Sequence, residues 1–324
     1  MMKAIRFAKT GGPEVLALED IELRDPRADE VRVRHSAIGV NFIDTYQRSG
    51  LYPVTLPSGL GLEGAGVIEA LGEGVSNLRI GDRVAYCSGP LGAYAEANNV
   101  PADRVVKLPD GIDAETAAAS LLKGMTAQYL LKRTYAVKPG ETILFHAAAG
   151  GVGLIACQWA KHLGATVIGT VGSDDKIALA TANGCAHVLN TRTQEWEKHV
   201  REITGGNGVT VVYDSIGKDA FMGSLDCLAV RGMLVSFGNS SGAVPAFEPG
   251  MLGGKGSLYL TRPTLSHYAR TTKEVQDTAD DLFAVIRSGA VKIAINQRFP
   301  LAEARKAHEA LHSRATTGAT ILVP

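Results

Sequence analysis

Between residues 141 and 261, short apolar stretches alternate with amphipathic helical stretches, and this rhythm narrows the fold more than any other feature of the chain. Strands are expected at 141–146, 166–171, 187–190, 209–213 and 233–237, with helices at 151–163, 174–182, 195–203 and 220–230, after a leading helix at 115–133. Within 151–163, Val152, Ile155, Ala156, Trp159 and Leu163 fall on one stripe, as a helix with one buried face requires. Strands joined by single helices are βαβ units, and these build an α/β, doubly wound parallel sheet of the Rossmann type.

The turn Ala147-Ala148-Ala149-Gly150-Gly151-Val152-Gly153 follows the first of these strands and opens its helix. That context is what a dinucleotide-binding loop needs. Gly150 and Gly151 let backbone approach a pyrophosphate, Gly153 lets helix and strand pack closely, and the amides around Val152 face the phosphate charge. Ala148 stands where the usual pattern has its first glycine. An NAD enzyme carries an acid at the tip of the second strand, for the ribose 2′-hydroxyl. Here the tip reads Gly169-Thr170-Val171-Gly172-Ser173, with Val171 in the acid's place and Lys176 one turn further on. Gly172, Ser173 and Lys176 leave room and charge for a 2′-phosphate, so NADPH is the expected cofactor. Asp174 or Asp175 is expected to cap the helix; a shifted boundary would instead make one of them a ribose ligand.

Residues 1–125 read differently. Short runs such as 31–34, 65–70 and 83–86 are broken by Gly11-Gly12-Pro13, Pro57-Ser58-Gly59 and Gly81-Asp82, suggesting a partly open barrel or sandwich. After residue 261, two helices with a strand near Ile293 between them and a closing strand at 319–323 are too little for a domain and are expected to pack back onto the first one. Lys plus Arg and Asp plus Glu each number 33, a balance that argues against nucleic acid or an anionic membrane as partner. No apolar run approaches a membrane span, the start reads straight into a strand, and four dispersed cysteines suit a reducing cytoplasm.

The run Gly140-Glu141-x-x-Leu144-x-x-x-Ala148-Ala149-Gly150-Gly151-x-Gly153-x-x-x-x-Gln158-x-x-Lys161 resembles the quinone oxidoreductase/zeta-crystallin signature of the medium-chain dehydrogenase/reductase superfamily. Gly39-Val40-Asn41-Phe42-Ile43-Asp44, Gly61-Leu62-Glu63-Gly64, Gly92-Ala93-Tyr94-Ala95-Glu96 and Arg314-Ala315-Thr316 extend the likeness over the whole chain. The resemblance implies a GroES-like catalytic domain from 1–125 completed by 262–324, an NADP-binding domain at 126–261, and a homodimer. Zinc alcohol dehydrogenases of the superfamily carry Cys where this chain has Asn41 and His where it has Leu62. The resemblance therefore implies hydride transfer without metal, to quinones, with conjugated enals and enones as the alternative acceptors. A non-catalytic nucleotide- or RNA-binding relative is the remote third possibility.

By the same resemblance Asn41, Phe42, Asp44 and Tyr46 lie beneath the nicotinamide, with Tyr52 nearby; Asn41, Asp44, Tyr46 and Tyr52 are the catalytic candidates. The bland alternatives are helix capping for Asn41 and Asp44 and wall packing for the tyrosines. Thr126 and Tyr129 begin a crossover helix that approaches the cofactor in relatives. Ser215 ends the fourth strand, and Phe237, Gly238 and Ser240 end the fifth, where open α/β sheets bind ligands. Arg262 and Arg314 are further cofactor candidates, Arg192 is the candidate second charge for the 2′-phosphate, and Thr191 stands where some relatives have a tyrosine, so a stacking partner for adenine is expected to be missing. His146 is expected to be packing.

Overall fold

The structure is a computed structural model that describes residues 1–313 and 315–324. It divides into two compact units, one comprising 1–125, 269–287 and 293–324, the other 126–268 and 288–292. Residues 262–268 and 288–292 thus go with the nucleotide-binding segment, whereas the sequence reading grouped them with the tail.

The second unit is the expected doubly wound sheet. Its strands are β1 (Thr142–Phe145), β2 (Thr166–Val171), β3 (His187–Asn190), β4 (Val209–Asp214), β5 (Leu228–Ser236) and β6 (Tyr259–Thr261). They lie side by side as β3-β2-β1-β4-β5-β6, all parallel. Sheet order reverses beside β1, so the carboxyl ends of β1 and β4 open the crevice where such sheets bind ligands. Leu144, Ile168, Val212, Phe221, Leu225 and Leu234 form the core on one face.

Two expectations need correction. Residues 228–230 are strand, not the end of a helix: the helix Phe221–Asp226 stops early and β5 begins at Leu228. Pairing with β4 shifts register between Val209 and Val211, and Arg231 takes a positive φ of 60°, so the extra residues are absorbed as a bulge. The helix expected at 115–133 is α-helical only over Ala114–Tyr129; Leu130–Thr134 widens into a π turn closed by Tyr135 N–H on the Leu130 carbonyl at 3.2 Å.

The first unit holds a seven-stranded sheet centred on the long strand Glu30–Val40, and a three-stranded sheet built on Met2–Phe7. The closing strand Ala319–Val323 pairs with Glu30–Val40, and Leu301, Ala304, Ala307, Leu311 and Leu322 share a core with Ile5, Val33, Ile38 and Tyr94. This is how the tail completes the unit. In the helix Thr272–Arg287, Val275, Ala279, Leu282 and Phe283 are buried at helical spacing, and Leu282 presses so closely on Gly124 that a Cβ there would meet its Cδ1 at 2.3 Å. Among the described residues no helix is long and apolar enough to cross a membrane.

Candidate functional site

Beyond β1 the chain turns sharply. His146 N–H bonds the Tyr213 carbonyl, Ala147 adopts a left-handed φ of 53°, Ala148 N–H bonds the Thr170 carbonyl at 2.9 Å, and Gly150 caps the helix Gly151–His162. The cap uses no side chain, so the first-turn amides at Gly151, Val152 and Gly153 present the helix's positive end to an incoming anion. A Cβ on Gly153 would lie 2.3 Å from the Ala147 carbonyl oxygen and 2.7 Å from that of Ala148, so only glycine fits. Ala148 is fully buried, and its methyl is accommodated because β2 has Gly169 opposite, where a Cβ would come within 2.7 Å. Gly169 thus makes room for the alanine that departs from the usual loop pattern, a compensation that sequence reasoning missed. His146 places Nδ1 2.8 Å from Thr170 Oγ1 and Nε2 2.9 Å from Ser224 Oγ, edge-on to Trp196. Burial lowers its pKa, so it packs as a neutral ring.

At the tip of β2, Gly172 is exposed, Ser173 and Lys176 are half-buried, and the Nε of Arg192 lies 4.0 Å from where a Gly172 Cβ would stand. Asp174 begins a short 3-10 turn, and its Oδ1 accepts the Asn190 amide at 2.7 Å. Thr191 N–H bonds the Val171 carbonyl, tying the end of β3 to that of β2. At the other half of the crevice, Gly238 lies so close to Ser215 that a Cβ would meet its carbonyl oxygen at 2.5 Å, and Ser240 N–H bonds that oxygen at 3.2 Å. Asp214 Oδ1 accepts the amides of Ile216 and Gly217, fixing this loop. Phe237 tilts against Phe145, and Arg262 donates to the Ser236 carbonyl at 2.8 Å. Tyr129 is buried and stacks on Tyr268 with centroids 4.6 Å apart, and Thr126 is buried nearby in sequence. Arg314 lies outside the described residues.

In the first unit Asn41 caps the helix Phe42–Ser49 and is buried, as is Asp44 at the helix's third position. Asp44 Oδ2 accepts the Asn41 backbone amide at 2.8 Å, half of a capping box. The Asn41 side-chain amide donates to Glu63 Oε2 at 2.8 Å; Glu63 also accepts the Leu122 amide and pairs with Lys123 at 3.3 Å. Exposed Phe42 leans on Tyr46, which meets Tyr52 edge-on at 5.2 Å. Tyr46 and Tyr52 are half-buried and backbone-linked.

Behind this helix runs a buried donor chain. Arg48 can only donate, so its 3.1 Å contact makes His308 Nδ1 the acceptor and puts the proton on Nε2. His308 Nε2 then donates to the Tyr94 hydroxyl at 3.1 Å, and Tyr94 donates to Asp44 Oδ2 at 2.9 Å. Burial lowers the His308 pKa to about 3 and that of His35 to about 4, and raises that of Asp44 to about 7. The unfolded chain protonates its histidines near 6.5, so their contribution is whole above 6.5 and is lost as pH falls toward 4 and 3. Asp44 acts oppositely, favouring the fold below 3.8 and losing that contribution as pH rises through 7. Three buried histidines, His146 among them, oppose one carboxylate, so melting temperature is expected to fall between pH 6.5 and 4.5. His308→Gln should flatten that slope and Asp44→Asn should steepen it; unchanged slopes in thermal melts would count against these assignments.

Among the described residues no three of His, Cys, Asp and Glu gather as a metal site would. The family described as "Alcohol dehydrogenase GroES-like domain" matches residues 27–110, and "Zinc-binding dehydrogenase" matches 151–284. A quinone oxidoreductase of Pseudomonas aeruginosa is 56% identical over 100% of both chains. The 2-haloacrylate reductase of a Burkholderia species is 45% identical, covering 100% of this chain and 99% of its own. The crystal structure of Escherichia coli quinone oxidoreductase complexed with NADPH superposes with a TM-score of 0.98 at 52% identity, covering 99% of this chain and 100% of that one. On the strength of its fold, its loop and these full-length likenesses, the chain belongs to the quinone oxidoreductase family of the medium-chain dehydrogenases/reductases.

Proposed function

We propose that this protein reduces quinones with NADPH, without help from a metal ion. The observation that carries the reading is an intact phosphate cradle at 147–153 in a chain whose residue 41 is a neutral amide already bonded to Glu63. A thiolate and an imidazole would suit zinc; Asn41 and Leu62 do not. Without a Lewis acid an alcohol is hard to deprotonate, whereas a quinone accepts hydride readily. The full-length likeness to quinone oxidoreductases and to an NADPH-bound structure supports both acceptor and cofactor.

When bound, NADPH supplies the hydride. The amides of Gly151, Val152 and Gly153 receive the pyrophosphate, and Ala148 and Gly150 shape the turn. Ser173, Lys176 and Arg192 would hold the 2′-phosphate, with Gly172 and Thr191 at the same strand ends. Ser215, Phe237, Gly238 and Ser240 line the nicotinamide half, supported by Thr126, Tyr129 and Arg262; Arg314 is assigned by resemblance alone. Asn41 gives one amide proton to Glu63, which fixes its plane and leaves the second amide proton to orient an acceptor oxygen. Tyr46 and Tyr52 offer a flat aromatic ring a stacking wall, with Phe42 at its edge. Asp44 acts by capping the Asn41 helix.

The likeness to 2-haloacrylate reductase favours a second reading, reduction of activated alkenes. Turnover of NADPH after exhaustive chelation, with a benzoquinone and a short enal in parallel, separates the two. Faster quinone reduction is expected; dominance of the enal would select the alternative, and chelator-sensitive oxidation of a simple alcohol would overturn both. A homodimer fits β6, an edge strand with Tyr259 58% exposed beside β5, which carries Val230 at 74%. The free, buried cysteines fit the cytoplasm.

A further inference from the structure

We infer that Asn190 sets coenzyme selectivity, as a positioning residue that clamps the Asp174 carboxylate aside from the 2′-phosphate. The inference rests on the NADPH reading above and names the residue that enforces it. Asn190 is the last residue of β3, 2% exposed, in register with Val171 at the end of β2. Its position is fixed on every side. Its side-chain amide donates to Asp174 Oδ1 at 2.7 Å, its Oδ1 accepts the Arg192 backbone amide at 3.0 Å, and its own backbone N–H bonds Gln194 Oε1 at 2.8 Å.

Asp174 follows the tip of β2 by three residues and is exposed. A carboxylate free to swing there would repel a phosphate dianion, and it is the group that non-phosphorylated coenzymes use for the ribose hydroxyls. The bond from Asn190 draws it toward β3. The same side chain anchors the backbone of Arg192, whose guanidinium reaches the space over Gly172. One buried amide therefore restrains the local negative charge and seats the local positive one. The hydrogen bond joins the ends of two adjacent strands, sixteen residues apart, which is why an acid close to the expected ribose position does not signify NAD.

The test is calorimetric titration of the purified protein with NADPH and with NADH, giving a ratio of dissociation constants independent of turnover. Asn190→Ala is expected to lose about tenfold in preference for NADPH, the worth of about 1.4 kcal/mol. Asp174→Ala alone should stay within about twofold of the wild-type ratio, and Asn190→Ala combined with Asp174→Ala should recover part of the loss, the remainder reflecting the Arg192 backbone that Asn190 also anchors. An unchanged ratio in Asn190→Ala, or no recovery in the double variant, overturns the inference while leaving the NADPH reading intact. A wild-type protein without preference for NADPH overturns both. Should Asn190→Ala fail to fold, the Asp174→Ala arm decides: its surface side chain is safely removed, and a tenfold gain in NADPH preference would mean that the carboxylate already faces the ribose.

Discussion

Gly153→Ala is expected to weaken NADPH binding by more than about a hundredfold and to lower the melting temperature as well. The added methyl would lie 2.3 Å from the Ala147 carbonyl oxygen and 2.7 Å from the Ala148 oxygen. Both are backbone atoms of the turn itself, so relief requires the helix to move away from the strand. Overpacking of this kind costs about 1–3 kcal/mol, and the displaced helix carries the amides proposed to receive the phosphates. Gly150→Ala supplies the contrast. Its φ is −79° and its nearest neighbour would be the Ala147 oxygen at 3.1 Å, so the fold tolerates the methyl with a small shift. That variant should keep its melting temperature and lose affinity only where the methyl meets the ligand. Thermal melts and NADPH titrations of the two variants check this; equal behaviour would mean that the close approach at Gly153 is not what shapes the loop.

The sheet was legible because its periodicity is local. Strands at 166–171, 187–190 and 319–323 could be bounded from composition and turn residues alone, and β1 ends where the glycine loop forces a turn. Boundaries blurred where tertiary contacts decide, as at Leu228–Val230, whose strand state depends on pairing with β4, and at Leu130–Thr134, where a π turn replaces the last helical turn. The glycine loop could be placed from its own residues, whereas the roles proposed for Asn41 to Tyr52 rest on the resemblance. What could not be read was who holds whom. Arg48 meets His308 across 260 residues, Tyr94 reaches Asp44 across 50, and Asn190 reaches Asp174 through the pairing of neighbouring strands. Such partners leave no spacing signal. Asp44 illustrates the cost: read with Asn41 as a catalytic candidate or a cap, it is wholly buried and bonded as a cap is. Gly169 carried no signal either, since its role exists only opposite Ala148.

Removing the Glu63 carboxylate should separate the stability of the first unit from its chemistry. Glu63 is fully buried, and its two oxygens serve Asn41, Leu122 and Lys123, the last only 5% exposed. Glu63→Ala leaves the Lys123 ammonium buried without its carboxylate, a situation that costs about 3–5 kcal/mol. A fall of roughly 10 °C in melting temperature is expected. Glu63→Ala with Lys123→Met removes both charges, and buried pairs replaced by apolar groups lose little stability, so most of the fall should be regained. Turnover should not return with it. Asn41 would still lack the acceptor that holds its amide plane, and a misplaced orienting group costs rate even in a stable protein. The expected signature is a double variant with near wild-type melting and NADPH affinity but a kcat for quinone lowered by at least about tenfold. If kcat recovered together with stability, Glu63 would be only half of a buried ion pair, and the orientation of Asn41 would owe nothing to it.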